Sequence, residues 1–324
     1  MSLDQQIDQL INPLARGLSD IIFYQINIFG QGFPLIVLWL VSAAVFFTCY
    51  LGFINIRGFS KAISIVSGKN GKSSGLGEIS HFQALSTAIS GTVGVGNIGG
   101  VAVAISIGGP GAAFWLFMAG FLGMSTKFVE CTLGVKYRRH NPDGSVSGGP
   151  MYYLERYLLD RGFPQLGKLL GGFYALALVI GCFGIGNMFQ SNQAYVQVLG
   201  ITGGENSFFA DKGWLFGLLL GGAVAAVIIG GIRSIASVAS KIVPFMAVLY
   251  VFSAVLIIAM SSEHVVGAIT LIISSAFETS SMTGGAIGAM IVGFQRAVFS
   301  NEAGIGSASI AHSAVKTDEP VTEG

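Results

Sequence analysis

The chain has 324 residues, 52% of them hydrophobic and 10% charged, with a formal net charge of +1 and a mean hydropathy of +0.71. Soluble domains carry about 25% charged residues, so this composition excludes a water-facing globular surface. The near-neutral balance gives no footing for a nucleic-acid partner. The chain reads as an all-α, polytopic membrane helical bundle embedded in a lipid bilayer.

Residues 1–32 hold Asp4, Asp8 and Asp20 against Arg16 alone, which does not make a signal peptide. Gln6, Leu10, Ile11 and Leu14 give a weakly amphipathic surface helix. Runs of about 20 apolar residues mark membrane spans. The first is expected at 33–56, the second at 82–107 and the third at 112–135. A polar loop precedes the fourth, at 170–199. The fifth spans 214–232 and the sixth 235–260, with Pro244 as a kink. Residues 264–283 have helix-period apolar positions and read as a surface or re-entrant piece. The seventh span begins near Gly284 and ends near Gly304.

Loop charges support this parse. The loops after spans one, three and five carry Arg57, Lys61, Lys69 and Lys72, then Lys136, Arg138, Arg139, Arg156, Arg161 and Lys168, then Arg233; Lys316 follows span seven. The loop after span four has Lys212 against Glu205 and Asp211, and the loop after span six has Glu263 and Glu278. Alternate loops are basic, so the N-terminus is expected outside and residue 324 in the cytoplasm. No acidic residue lies in the middle of spans two to six.

Span two holds the densest chemistry. Residues 90–100 include five glycines, Gly91, Gly94, Gly96, Gly99 and Gly100. Glycine inside a helix costs about 0.5–1 kcal/mol relative to alanine, so this stretch is expected to break the helix. Gly94-x-Gly96-x-x-Gly99 matches the dinucleotide fingerprint in letters only, because it lacks the strand, the following soluble helix and the acidic residue that the motif needs. Two readings remain. Small residues pack helices closely, or the unwound backbone binds a zwitterion and a cation. In the second, Gly91, Thr92, Gly94 and Gly96 face the substrate, whose carboxylate suits exposed N–H groups. A sodium ion takes oxygens from Thr92, Val93, Gly96 and Asn97, as hard cations do.

Span four carries Phe183, Asn187, Gln190, Ala194 and Gln197 at spacings of three and four, hence on one helical face. Polar groups at membrane depth face the bundle interior or a wet cavity. Asn187 and Gln190 either glue helices together or bind substrate, with Phe183 over its apolar side. Span seven contains Gln295, Arg296, Asn301 and Glu302, read as gating or structural. A central Arg costs about 2.5–3.5 kcal/mol on the insertion scale. Either Arg296 snorkels to the cytoplasmic side or it pairs internally, with Glu302 about two turns away. Cys49, Cys131 and Cys182 are scattered and fit neither a disulfide framework nor a metal site. Nothing points to an enzyme: no Ser/His/Asp set, zinc spacing or Walker loop is present, and no metal other than sodium is expected.

Three stretches together resemble the alanine or glycine:cation symporter family, the sodium:alanine symporters. They are Phe82-Gln-Ala-Leu through Gly100 with Thr92-Val-Gly-Val-Gly-Asn-Ile98; Gly108-Gly-Pro-Gly through Ser125-Thr-Lys-Phe-Val-Glu130, continued by Asp143-Gly-Ser and Gly148-Gly-Pro-Met-Tyr-Tyr-Leu-Glu155; and Phe299-Ser-Asn-Glu-Ala-Gly-Ile-Gly-Ser307, followed by Ala311-His312 and Lys316-Thr-Asp318. The resemblance implies a LeuT-like fold in one transmembrane domain: an extra helix at 33–56, a first five-helix repeat at 82–260 and the start of an inverted second repeat at 284–324. It implies sodium-coupled uptake of alanine or glycine by alternating access, in a monomer of the inner membrane. It places a second helix break near Gly293 to Arg296, close to the substrate. The family continues through about four more helices, so the chain reads as a truncated sequence whose second repeat is mostly missing. A proton-coupled carrier of similar fold and a non-transporting membrane protein are the alternatives.

Overall fold

A computed structural model describes residues 12–13, 16–28, 31–69, 75–278 and 285–324. The amphipathic positions Gln6, Leu10, Ile11 and Leu14, with Lys72 and Gly284, lie outside the described residues. A short hairpin, β1 (Gln25–Ile28) against β2 (Gln31–Pro34), precedes the bundle, with Gln25 opposite Pro34 and Asn27 opposite Gly32. The rest is helical: an all-α polytopic membrane bundle with a few short strands.

The first span is α1, Leu35–Tyr50. It stops six residues before the expected end because Gly52 (φ 60°) and Phe53 (φ 59°) both turn left-handed. Two short helices follow, α2 (Ile54–Arg57) and α3 (Phe59–Val66). The second span is a pair, α4 (His81–Thr92) and α5 (Val95–Gly108), bent by 43° at the break. Ser80 starts α4 with a capping box: its hydroxyl accepts the Gln83 N–H while the Gln83 side chain accepts the Ser80 N–H. The third span, α6 (Gly111–Lys136), is unbroken. A two-residue ribbon, β3 (Arg139–His140) with β4 (Val146–Ser147), leads to α7 (Pro150–Asp160).

The fourth span is 38 residues long. It comprises α8 (Pro164–Gly181), a π-helical segment Cys182–Phe189, and α9 (Gln190–Ile201). Next come α10 (Gly213–Ile228), α11 (Gly231–Met260) and α12 (Ser262–Phe277). Gly231 (φ 66°) ends the fifth span before its expected limit at 232, and α11 runs through Pro244 as one element. The α12 helix occupies most of the segment read as a surface or re-entrant piece. Its end is tied down where Trp115 Nε1 donates to the Ala276 carbonyl at 3.1 Å. The last elements are α13 (Gly285–Asn301) and α14 (Ser307–Ser313).

Among the described residues, α6, the fourth span and α11 are each long and apolar enough to cross a membrane, and so is the bent α4–α5 pair taken together. Close approach holds the centre, because lipid offers helices no hydrophobic drive to associate. A Cβ on Gly293 of α13 would lie 2.7 Å from the Ala112 carbonyl oxygen of α6, and one on Gly108 would lie 2.9 Å from Val292. By contrast, large apolar residues of the fourth span, α10 and α11 point outward, Phe173 and Phe245 at 70% exposure each.

One end of the bundle is knotted. Ile79, Ala84, Ala236, Ala314 and Val315 form a small core, and Ile79 bridges Val315 in parallel. Arg138, 5% exposed, threads this knot. Its guanidinium donates to the carbonyls of Leu76, Val315 and Thr317 at 2.6 Å each and of Ser313 at 2.9 Å. Burial pushes its pKa down, opposed by the charges of Asp318 and Glu323.

Candidate functional site

The glycine stretch breaks the helix where expected. Helix α4 ends at Thr92, Val93 is extended (φ −91°, ψ 100°), and α5 restarts at Val95 after Gly94 (φ −148°, ψ −148°). A helix start leaves its first N–H groups without intrahelical partners. Two side chains take them here. Gly94 N–H donates to Asn97 Oδ1 at 3.2 Å, and Val95 N–H donates to Gln190 Oε1 at 3.3 Å. Gln190 comes from the first residue of α9, so the fourth span is hydrogen-bonded to the break in the second. A Cβ at Gly94 would sit 3.1 Å from Gln190 Oε1, and one at Gly96 would sit 3.1 Å from the Phe299 ring of α13. Phe299 stands edge-on to Phe189, with centroids 6.2 Å apart. Glycine is what lets Gln190 and Phe299 close on the backbone.

The other expected residues are placed unequally. Gly91 is exposed in the last turn of α4. Thr92 and Val93 face a cavity of about 300 Å³ along α4. Asn97 lines a different cavity, of about 660 Å³, together with Asn55, Ser300 and Asn301. Its side-chain oxygen is engaged at Gly94, so the four residues expected around sodium are divided between two faces of the break.

Phe183 is 64% exposed and Asn187 is also exposed. Both lie within the π-helical segment Cys182–Phe189, and Gln190 begins the α-helix after it. Bonding of i→i+5 type changes the helical phase, so Gln190 does not keep the α-helical register with them. Gln190 alone of that trio is hydrogen-bonded to the break.

The second interruption lies elsewhere than expected. Residues Gly293 to Arg296 are helical within α13, and Gly293 is a packing contact. The chain breaks instead after Asn301, at residues 302–306, where Glu302 (φ 53°), Gly304 (φ 94°) and Gly306 (φ 89°) are left-handed. Asn301 Oδ1 accepts the Ala303 N–H at 2.8 Å, and the Ser307 hydroxyl donates to Glu302. Gln295 and Arg296 are half-buried; the Arg296–Glu302 ion pair is not among the salt bridges of the described residues.

One charged residue passed over in the sequence, Glu130, pins this second break. Glu130 of α6 is 6% exposed, and one of its oxygens accepts the Gly304 N–H. The other lies 3.9 Å from Lys127 Nζ and has no hydrogen-bond partner, nor does the ammonium. The signal was available: Lys127 and Glu130 are one helical turn apart in an otherwise apolar span. At the knotted end, Glu323 Oε1 pairs with His81 Nδ1 and Oε2 with His312 Nδ1 at 2.7 Å. Burial raises the Glu323 pKa, but the hydrogen bonds from His312 and His81 outweigh it and hold the carboxyl below its usual range.

A membrane span interrupted at glycine, its free amides capped by polar side chains and faced by a second interrupted span, is how secondary transporters are built. The chain belongs to the sodium:alanine symporter family, whose profile matches residues 17–324. It is 43% identical to the sodium/alanine symporter AgcS of Methanococcus maripaludis, over 91% of this chain and 63% of that one. It is 39% identical to the putative sodium/proton-dependent alanine carrier protein YrbD of Bacillus subtilis, over 86% and 54%. It is 35% identical to the probable sodium/glutamine symporter GlnT of the same organism, over 90% and 58%. The chain therefore spans less than two thirds of the length of these relatives. The family is one of transporters, not enzymes, and its members carry amino acids with a cation.

Proposed function

We propose that the protein couples sodium entry to uptake of a small neutral amino acid, alanine or glycine, by alternating access around the break between Thr92 and Val95. The observation that carries this reading is the pair of amides at Gly94 and Val95, held by Asn97 and Gln190. These side chains occupy the positions an amino-acid carboxylate would take at a helix start. Substrate carboxylate exchanges for the Gln190 contact, and the freed amide group of Gln190 turns to the substrate. Phe299 closes the apolar side. Backbone carbonyls at Thr92 and Val93, with the Thr92 hydroxyl, supply oxygens suited to sodium. The names of AgcS and GlnT agree in the cation, sodium, and differ in the amino acid.

On this reading the protein is a monomer of the cytoplasmic membrane, and the loop charges given above support an N-terminus outside and residue 324 in the cytoplasm. Proton coupling is the second reading, favoured by the buried, incompletely partnered carboxyl of Glu130 and by the name of YrbD. Alanine counterflow in proteoliposomes separates the two. At fixed pH, an imposed sodium gradient stimulates uptake; stimulation by a proton gradient alone, without sodium, overturns the sodium reading. Gln190→Ala weakens alanine binding about tenfold, the loss of a buried polar contact worth about 1–3 kcal/mol. Unchanged affinity with reduced protein yield would make Gln190 a packing residue.

A further inference from the structure

The cavity of about 300 Å³ follows one face of α4: His81, Leu85, Ala88 and Thr92 line it at spacings of four, three and four. By helical rise it extends over about 16 Å, from the start of α4 to the break. Lys127 and Cys131 of α6 form part of the facing wall. At the end away from the break, His81, His312 and Glu323 are among the residues that line the cavity, with Thr322 and Gly324. The Glu323 carboxylate is 2% exposed and shared: one oxygen to His81 at the start of α4, the other to His312 in α14. A carboxylate only accepts, so each imidazole donates from Nδ1. One carboxylate thereby joins three segments: the near half of the first broken span, the far half of the second, and the turn Pro320–Glu323.

We propose that this cavity is the outlet through which a zwitterionic amino acid leaves the break for the cytoplasm, and that His81–Glu323–His312 is the lock that holds its two sides together. The proposal rests on the transport reading above and adds the path and the residues that close it. Release along this face requires the start of α4 to part from α14, and these three side chains hold the two together. The lock is a hydrogen-bonded clasp, not a hydrophobic plug. Its opening therefore exposes groups that water can satisfy.

Cys131 reports the state of the cavity directly, because it lines the wall and is 4% exposed with the lock shut. The experiment uses the full-length protein with Cys49→Ser and Cys182→Ser, in inside-out membrane vesicles free of sodium and amino acid. Glu323→Gln and His81→Gln raise the rate of Cys131 alkylation by a membrane-impermeant maleimide about tenfold, as loss of one hydrogen bond to a charged group implies. Right-side-out vesicles give no such rise. An unchanged rate, or labelling from both sides, overturns the lock.

A second arm guards against a variant that merely unfolds. With all three native cysteines replaced by serine, His81→Cys combined with Glu323→Cys and joined by a short, thiol-reversible crosslinker stops alanine uptake, and reductant restores it. Uptake undiminished by the bridge overturns the proposal. The labelling arm needs no substrate, so a positive result there with no alanine uptake in any form counts against the transport reading and leaves the lock standing.

Discussion

Arg138 shows what a single residue contributes here. Four carbonyls, from Leu76, Ser313, Val315 and Thr317, converge on one guanidinium. Those carbonyls come from residue 76 and residues 313–317, two segments joined at the Ile79–Val315 bridge, and Arg138 supplies each of the four with a donor. Only a planar fork can reach all four; an ammonium is a point donor on a flexible stem. Arg138→Lys keeps the charge and loses the geometry. The expected cost is about 2–4 kcal/mol, from one or two unmade hydrogen bonds to a charged group, read as a lower unfolding midpoint of the detergent-purified protein. A midpoint equal to wild type would mean that charge alone suffices. The sequence displays Arg138 as one more cation in a basic loop. Its charge and sidedness were legible; its role was not, because the carbonyls it binds lie more than 60 residues away in either direction. Gln190 was legible for the opposite reason, since an amide at membrane depth announces a polar contact.

At the scale of the element, glycine density confined the first break to residues 90–100, whereas the family resemblance put the second near Gly293 to Arg296, where α13 is continuous. Gly293 looks like a breaker, yet it permits α13 to touch the α6 backbone, and the true break falls at residues 302–306. A membrane glycine can mean either close packing or an interruption, and sequence spacing does not separate the two meanings. Contact geometry does. Around the first break, a side chain at Gly94 would meet Gln190 at 3.1 Å, whereas a Cβ at Gly100 would meet nothing within 4 Å. Gly94→Leu therefore abolishes alanine binding, while Gly100→Ala keeps it and stabilises α5 by about 0.5–1 kcal/mol, the usual glycine penalty in a helix. Binding assays and thermal unfolding on both variants check the pair. If Gly94→Leu binds alanine as wild type does, the break is not the site. The face of the fourth span shows a related effect. An α-helical phase puts its polar residues on one face; with the π-helical segment Cys182–Phe189 in place, Phe183 and Asn187 are exposed while Gln190 reaches the break.

For the whole molecule, loop charge was the most informative signal in the sequence, and the contacts agree with it. The Glu78 carboxylate meets Arg233 Nε at 3.2 Å and accepts the Val146 N–H at 3.3 Å. Arg138 reaches Leu76 and Thr317. The loops after spans one, three, five and seven therefore gather at a single end of the bundle, as alternating basic loops require. The exposed Glu78–Arg233 pair adds little energy itself; its value is as a marker of sidedness. At α6 the chain turns back from the far end, where Gly111 packs on Ser275 and Ala276 of α12. The segment between α9 and α10, with Glu205 and Asp211, belongs to the face opposite the basic loops by the same alternation. Positive charge is retained on the cytoplasmic side of short loops, so the proposed orientation puts the knotted end in the cytoplasm and the loop at 202–212 outside. In a background lacking the native cysteines, Glu205→Cys is labelled by an impermeant maleimide on intact cells, while Arg139→Cys is labelled only after the membrane is opened. The reverse pattern would invert the bundle, place the His81–Glu323–His312 clasp on the outer surface, and turn the cavity beneath Thr92 from an outlet into an entrance.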